Sequence, residues 1–284
     1  MVYMSEKNKA IIQMVICSMM WSIAGILFRF IDCNPFVIAG WRSFFSMITV
    51  LVFMKISKIK IHFTKNSMAS ALFLCLTYFA FVSANKLTTA ANAIVLQFTS
   101  PVFILLINFF IFKKKVIRAD VLTVILTLTG IALFFFDQMD SGKLAGNIVG
   151  ILSGVFVAAM YVSCGESKDD ERMSGILLGH IITAVIGIAF TPFTQNTLDL
   201  NAFFWLVVLG VVQLGIPYIL VGLALKSCPP LACCLIGVIE PLLNPLWVFL
   251  IDGEIPGTMS FVGATVILTT ITVWCIYKGR IGEA

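Results

Sequence analysis

Charge is what this 284-residue chain has least of: Asp, Glu, Lys and Arg together make up 12% of it, about half the usual share of a soluble domain. A soluble core of this length could not hide the 60% of residues that are hydrophobic. Disorder requires the opposite balance. Histidine is rarer still. His62 and His180 lie far apart in the sequence, and no His, Asp or Ser cluster marks a membrane-face enzyme or a metal centre. Cysteine is sparse for a disulfide scaffold, and no C-x-x-C spacing occurs. Adjacent Cys233 and Cys234 read as small apolar packing residues. No G-x-x-x-x-G-K-[ST] loop is present, so ATP does not power the chain directly and no cofactor is expected. The basic residues form no stripe, and the net charge of +5 gives no reason to expect nucleic acid as a partner.

What the chain does have is long apolar runs. Ten segments can cross a hydrocarbon layer of about 30 Å at about 1.5 Å per residue. They fall near 10–31, 35–54, 67–86, 90–112, 117–136, 146–165, 173–193, 202–225, 230–251 and 257–277. A transmembrane barrel would show short alternating segments instead. The expected fold is therefore an all-α polytopic membrane protein with ten transmembrane helices. The first segment is too long for a signal peptide and carries Trp21 and Phe28 in place of a small-residue cleavage site, so it reads as retained.

Lys and Arg set the expected orientation. One set of loops holds Lys7, Lys9, Lys55, Lys58, Lys60, Lys65, Lys113, Lys114, Lys115, Arg118, Lys168, Arg172, Lys226, Lys278 and Arg280. The other holds Arg29, Lys86 and Lys143. The positive-inside rule places both termini in the cytoplasm. The run Glu166–Arg172 reads as a solvated cytoplasmic corner.

At an offset of 140 residues the first five segments fall on the last five. Pro101 lands on Pro241, Lys86 on Lys226, Ala84 on Ala224, Gly25 on Gly165, and Trp21 on Tyr161. Each unit has an odd number of crossings, so the second enters from the opposite side. Residues 1–140 and 141–284 are thus expected to be inverted five-helix repeats, the layout of many secondary transporters.

Three stretches carry a family resemblance. Ala84-Asn85-Lys86-Leu87-Thr88-Thr89-Ala90 is similar to an A-L-K-Y-T-x-A junction, with Ala224–Pro230 as its counterpart. Glu240-Pro241-Leu242-Leu243-Asn244-Pro245, followed by Asp252-Gly253-Glu254, is similar to an E-P…G-E ending. Pro35 and Arg42 match a P-x-x-x-x-x-x-R pattern. Together they resemble the EamA-type branch of the drug/metabolite transporter superfamily across the whole chain. Lys113–Lys115 replace the usual G-E corner of the first repeat, and Ser100 stands where the second repeat has Glu240. The resemblance implies a secondary active transporter of a small metabolite, with an amino acid or related compound as the leading cargo and export as the expected direction. The alternative is a proton-coupled multidrug exporter of lipophilic cations; such exporters usually work as dimers of one short unit, and Arg42 fits a cation poorly.

Glu240, in mid-segment, is either a proton- or amine-binding group or a residue that stabilises a kink. Arg42 is expected to pair with it, to meet a substrate carboxylate, or to snorkel. Asn92, Gln97, Gln213 and Asn244 are candidate polar contacts, and Gln97 could instead satisfy a carbonyl freed by Pro101. Trp21, Tyr78, Tyr161 and Trp247 are candidate cavity walls; His180 is a candidate proton relay or an interhelical bond. Pro101, Pro241 and Pro245 are candidate hinges. Gly146, Gly150 and Gly154 present one smooth face, for packing or for a second copy. The expected partners are the lipid bilayer of the cell membrane, a small-molecule substrate and protons as a candidate coupling ion. Either a monomer or a homodimer would suffice, and no metal is expected.

Overall fold

The computed structural model describes residues 5–139, 143–252 and 257–280. Fourteen α-helices build the ten expected crossings. The first crossing is α1 (Glu6–Ser22) with α2 (Ala24–Phe28); the second is α3 (Pro35–Ile56) and the third α4 (Lys65–Leu87). The fourth is split into α5 (Ala90–Gln97) and α6 (Ser100–Phe110), and the fifth is α7 (Arg118–Phe134). Then follow α8 (Leu144–Gly165) and α9 (Asp169–Ala189). The eighth crossing joins α10 (Leu200–Val208), a π-helical stretch (Leu209–Gly215) and α11 (Ile216–Ala224). The ninth is split into α12 (Pro230–Gly237) and α13 (Ile239–Asp252), and α14 (Thr258–Arg280) closes the chain.

Local chemistry sets the helix starts. Asn34 accepts the Phe36 amide at 3.0 Å, with Pro35 in the first turn, where its missing N–H costs nothing. Thr64 and Ser67 form a reciprocal capping box at the start of α4. Asp199 accepts the Ala202 amide at 2.7 Å ahead of α10. Pro217 has no N–H to give the Gln213 carbonyl, and the backbone immediately before it widens into the π stretch.

The seventh crossing starts earlier than expected. Asp169–Arg172 form the first turn of α9 instead of a solvated corner, and Arg172 is buried. Three acidic side chains at a helix N-terminus favour this start.

Apolar side chains also face outward, among them Leu122, Ile125, Val185 and Phe261, as lipid contact requires. Inside, the helices pack as exchangeable pairs: α4 lies on α8, and α1 on α11. The α5–α6 pair lies on α8, while α12 and α13 lie on α1. Helix α3 crosses α9, and α7 lies along α14. Adding 140 to the residue numbers of the first half converts each arrangement into its counterpart.

Two crossings depend on small residues. A Cβ on Gly187 would lie 2.5 Å from the Gly40 Cα, so α3 and α9 touch backbone to backbone. Gly187→Val is expected to destabilise the fold by at least about 1–3 kcal/mol, since neither backbone can yield as a side chain would. Denaturation in detergent measures this. Gly146, Gly150 and Gly154 pack against Leu87, Leu96 and Gln97 of the first half, so this face is used inside the chain.

Candidate functional site

A cavity of about 650 Å³ runs between the two halves. Its wide end lies among Ile31, Cys33, Pro35 and Lys86, at the helix ends opposite the amino terminus. Its deep end reaches Tyr161, Cys234 and Glu240.

The two broken helices form the deep wall. The breaks fall at Phe98–Thr99 and at Val238, matching positions in the two halves. Pro101 and Pro241 sit in the first turns of α6 and α13, three residues beyond the breaks. Thr99 takes up a backbone group freed there by donating to the Leu96 carbonyl at 2.6 Å. Ser100 and Cys234 join the two crossings across the cavity floor at 3.2 Å. The carboxylate of Glu240, which replaces the serine of the first half, lines the cavity.

Arg42 enters from α3 on the wall between Phe28 and Tyr78. Its guanidinium lies 5.4 Å and 5.3 Å from their ring centroids. Arg42 is buried, and among the described residues its Nε has no hydrogen-bond partner. The expected Arg42–Glu240 pair is not formed: among the described residues no nitrogen–oxygen contact within 4.0 Å joins them. Both line the same cavity, so a guanidinium and a carboxyl group face one space.

Around them lie unsatisfied or weakly held polar groups. Among the described residues Tyr78 Oη and Gln213 Oε1 have no partner, while Gln213 Nε2 donates to the Trp21 carbonyl at 3.4 Å. Trp21 packs on Tyr218 at 5.5 Å, and Tyr78 meets Tyr218 edge-on at 6.0 Å. His180 is fully buried behind these tyrosines, 6.0 Å from Tyr78 and 5.1 Å from Tyr218, and neither ring nitrogen has a partner among the described residues. It supports the wall from behind.

Of the residues singled out from the sequence, Trp21, Arg42, Tyr78, Gln97, Tyr161, Gln213, Glu240 and Pro241 line the cavity. His180, Asn92, Pro101 and Trp247 do not. Asn92 donates to Thr88 at 3.2 Å, and Trp247 donates to Ser22 at 2.8 Å. Among the described residues Gln97 makes no side-chain hydrogen bond, and it faces the cavity instead of a freed carbonyl. The side chains of Asn244 and Pro245, with Gly253 and Glu254, lie outside the described residues. Tyr218, weighed with Gln213 as a polar group of the eighth segment, also lines the cavity, as does Phe98, which sequence reasoning missed and only proximity to Gln97 could have flagged.

The opposite end is shut. Arg172 donates from Nε to the Cys164 carbonyl at 2.7 Å and from its terminal nitrogens to the Ser167 and Gly222 carbonyls at 2.7 and 3.2 Å. It also meets Asp169 at 3.2 Å, and Lys226 meets Asp169 at 2.8 Å. That carboxylate raises the affinity of the Lys226 ammonium for its proton.

Residues 8–136 match the EamA-like transporter family. Over that part of the chain the resemblance read from the motifs is borne out, and the match supports a membrane transporter of the drug/metabolite type. A protein of Archaeoglobus fulgidus named an uncharacterized transporter is 23% identical over 203 residues, 72% of this chain and 73% of its own length. A solved crystal structure of a protein with 15% identity superposes with a TM-score of 0.81, covering 95% of this chain and 98% of that one. It shares the fold.

Proposed function

We propose that the chain carries a small zwitterionic metabolite, an amino acid or a close relative, across the cell membrane by alternating access between inverted halves 1–140 and 141–284. One observation carries this reading: the unpaired Arg42 and Glu240 face the same cavity. A carboxylate would take the guanidinium and an ammonium the carboxylate, while Trp21, Tyr218 and neighbouring apolar residues receive the rest. A buried guanidinium disfavours a lipophilic cation in the same space.

With lysine-rich loops and both termini in the cytoplasm, the cavity faces outward. In an exporter this is the state from which substrate leaves. One fused chain supplies both halves, so a monomer suffices. Glu240 is also the candidate proton acceptor. Glu240→Gln keeps the shape and removes the charge.

The reading is tested by counterflow in liposomes with amino acids, amines and lipophilic cations at two pH values. Wild-type protein is expected to exchange a zwitterion. Glu240→Gln is expected to slow exchange about tenfold or more, the scale of one lost charge-assisted hydrogen bond, and to flatten its pH dependence. Unchanged exchange and pH dependence in that variant would remove Glu240 from the mechanism.

A further inference from the structure

Between α3 and α4 the chain interleaves cationic and apolar residues: Lys55-Ile56-Ser57-Lys58-Ile59-Lys60-Ile61-His62-Phe63-Thr64-Lys65. Residues 59–64 belong to no helix. In an extended run neighbouring side chains leave on opposite sides, so Lys58, Lys60 and His62 form one register and Ile59, Ile61 and Phe63 the other. Ile59 packs against the core. Ile61 and Phe63 are 48% and 73% exposed, and Ile56, the last residue of α3, is 75% exposed. Lys55, Lys58, Lys60 and Lys65 are exposed too. Among the described residues none of these four lysines lies within 4.0 Å of a carboxylate oxygen. The carboxylate beside the loop, that of Asp170, meets His62 at 3.6 Å.

Hydrogen bonds fix the shape of the loop. The Ile59 amide donates to the Met54 carbonyl at 2.9 Å, and the His62 amide donates to Ser174 Oγ at 2.9 Å. Ser67 Oγ donates to the His62 carbonyl at 2.8 Å. The apolar side chains are therefore held outward. Helices α3 and α4, of 22 and 23 residues, each span about 33–35 Å, close to the hydrocarbon thickness of a bilayer. The loop that joins them lies where acyl chains give way to headgroups. That boundary offers apolar cover to Ile56, Ile61 and Phe63, which water does not, and counter-charge to the lysines.

We propose that the α3–α4 loop is a docking surface for anionic phospholipid, with Ile56, Ile61 and Phe63 among the acyl chains and Lys55, Lys58, Lys60 and Lys65 on the headgroups. The proposal depends neither on the cargo nor on alternating access. With the termini in the cytoplasm, the lipid belongs to the cytoplasmic leaflet. A lysine at an anionic bilayer surface contributes a preference of about fivefold, and four together select an anionic lipid over a neutral one. The other basic corner is built differently: Lys113–Lys115 are consecutive with no apolar residue between them, and Lys114 already meets Glu166. Because Ser174 ties the loop to α9, a lipid held there also braces the first turns of that helix, where Asp169 and Arg172 help to shut the inner end.

Photo-capture of lipid tests this without any cargo. Phe63 is replaced by a photoreactive benzoylphenylalanine in the full chain, reconstituted in phosphatidylcholine vesicles containing one quarter phosphatidylglycerol. Val185, exposed toward the far end of α9 from Asp169, carries the same group in a second sample and reports the bulk bilayer. Mass spectrometry of the adducts identifies the captured lipid. At position 63 phosphatidylglycerol is expected about fivefold above its share of the bilayer, and at position 185 at its share. Lys58→Gln, Lys60→Gln and Lys65→Gln together should bring the position-63 ratio down to that share; all three lysines are exposed and unpaired, so the fold tolerates the change. Lipid adducts at position 185 but none at position 63 would overturn the proposal. So would a position-63 ratio at the bilayer share in the chain with its lysines intact, a ratio that the three substitutions leave unchanged, or equal enrichment at position 185, which would reflect a general attraction to the protein.

Discussion

Replacing Arg42 with methionine is expected to abolish zwitterion exchange while the unfolding midpoint holds or rises. The guanidinium is buried and, among the described residues, lacks an ion-pair partner within 4.0 Å and leaves its Nε unbonded. Its stacking over Phe28 and Tyr78 offsets part of that cost, on the order of 1–2 kcal/mol for such contacts. A side chain retained for stability would be paired. Methionine fills similar space without the charge, and substitutions of this kind are often neutral or stabilising. A carboxylate held by a guanidinium gains about 1.5–3 kcal/mol per charge-assisted hydrogen bond, so its loss should weaken binding about 10–100-fold. Equilibrium binding and thermal unfolding on the same sample separate the two effects. A falling midpoint with unchanged binding would assign Arg42 to the scaffold.

Asp120→Ala should do the reverse, with a large loss of stability and little direct effect on the cavity. Asp120 begins α7 and is buried against α14. It accepts from the Trp274 indole at 2.9 Å and from Lys278 at 3.2 Å. Lys278 also lies 5.7 Å from the Trp274 ring centroid. Removing the carboxylate strips a buried ammonium and a buried indole N–H of an acceptor together. Loss of one partner from a buried pair typically costs about 3–5 kcal/mol. Trp274→Phe removes only the indole bond and should cost about 1 kcal/mol. Chemical denaturation of the two variants in one detergent gives the ranking. Equal midpoints would mean that the pair is not what joins these helices.

The crossings were legible because a bilayer leaves few alternatives: a run of about 20 apolar residues must be helical. Pro101 and Pro241 fall at an offset of 140 in the sequence and mark hinge candidates; each lies just beyond a helix break. The break positions were not legible. Proline marks a place where a helix can begin as well as one where it fails, and here both prolines begin the second pieces. Arg172 was misread because a charged run looks solvated in one dimension. Carbonyls of Cys164, Ser167 and Gly222 come from three places in the chain, and only folding gathers them. Arg42 and Glu240 were correctly seen as costly in a membrane, but pairing was the simplest remedy in sequence terms. In the described structure they are not within 4.0 Å of each other, and both line a space that no residue pattern encodes. His180 was a candidate relay and Trp247 a candidate wall, yet one stands behind the wall and the other bonds to Ser22.

That separation has a kinetic consequence. Closing the mouth around an empty cavity would strip water from a guanidinium and a carboxylate that do not touch, and each desolvation costs several kcal/mol. A bound zwitterion supplies a counter-charge to each and lowers that barrier. Occupancy would then act as the clutch between binding and turnover. The loaded protein changes sides readily, the empty one slips slowly, and homoexchange runs faster than net flux.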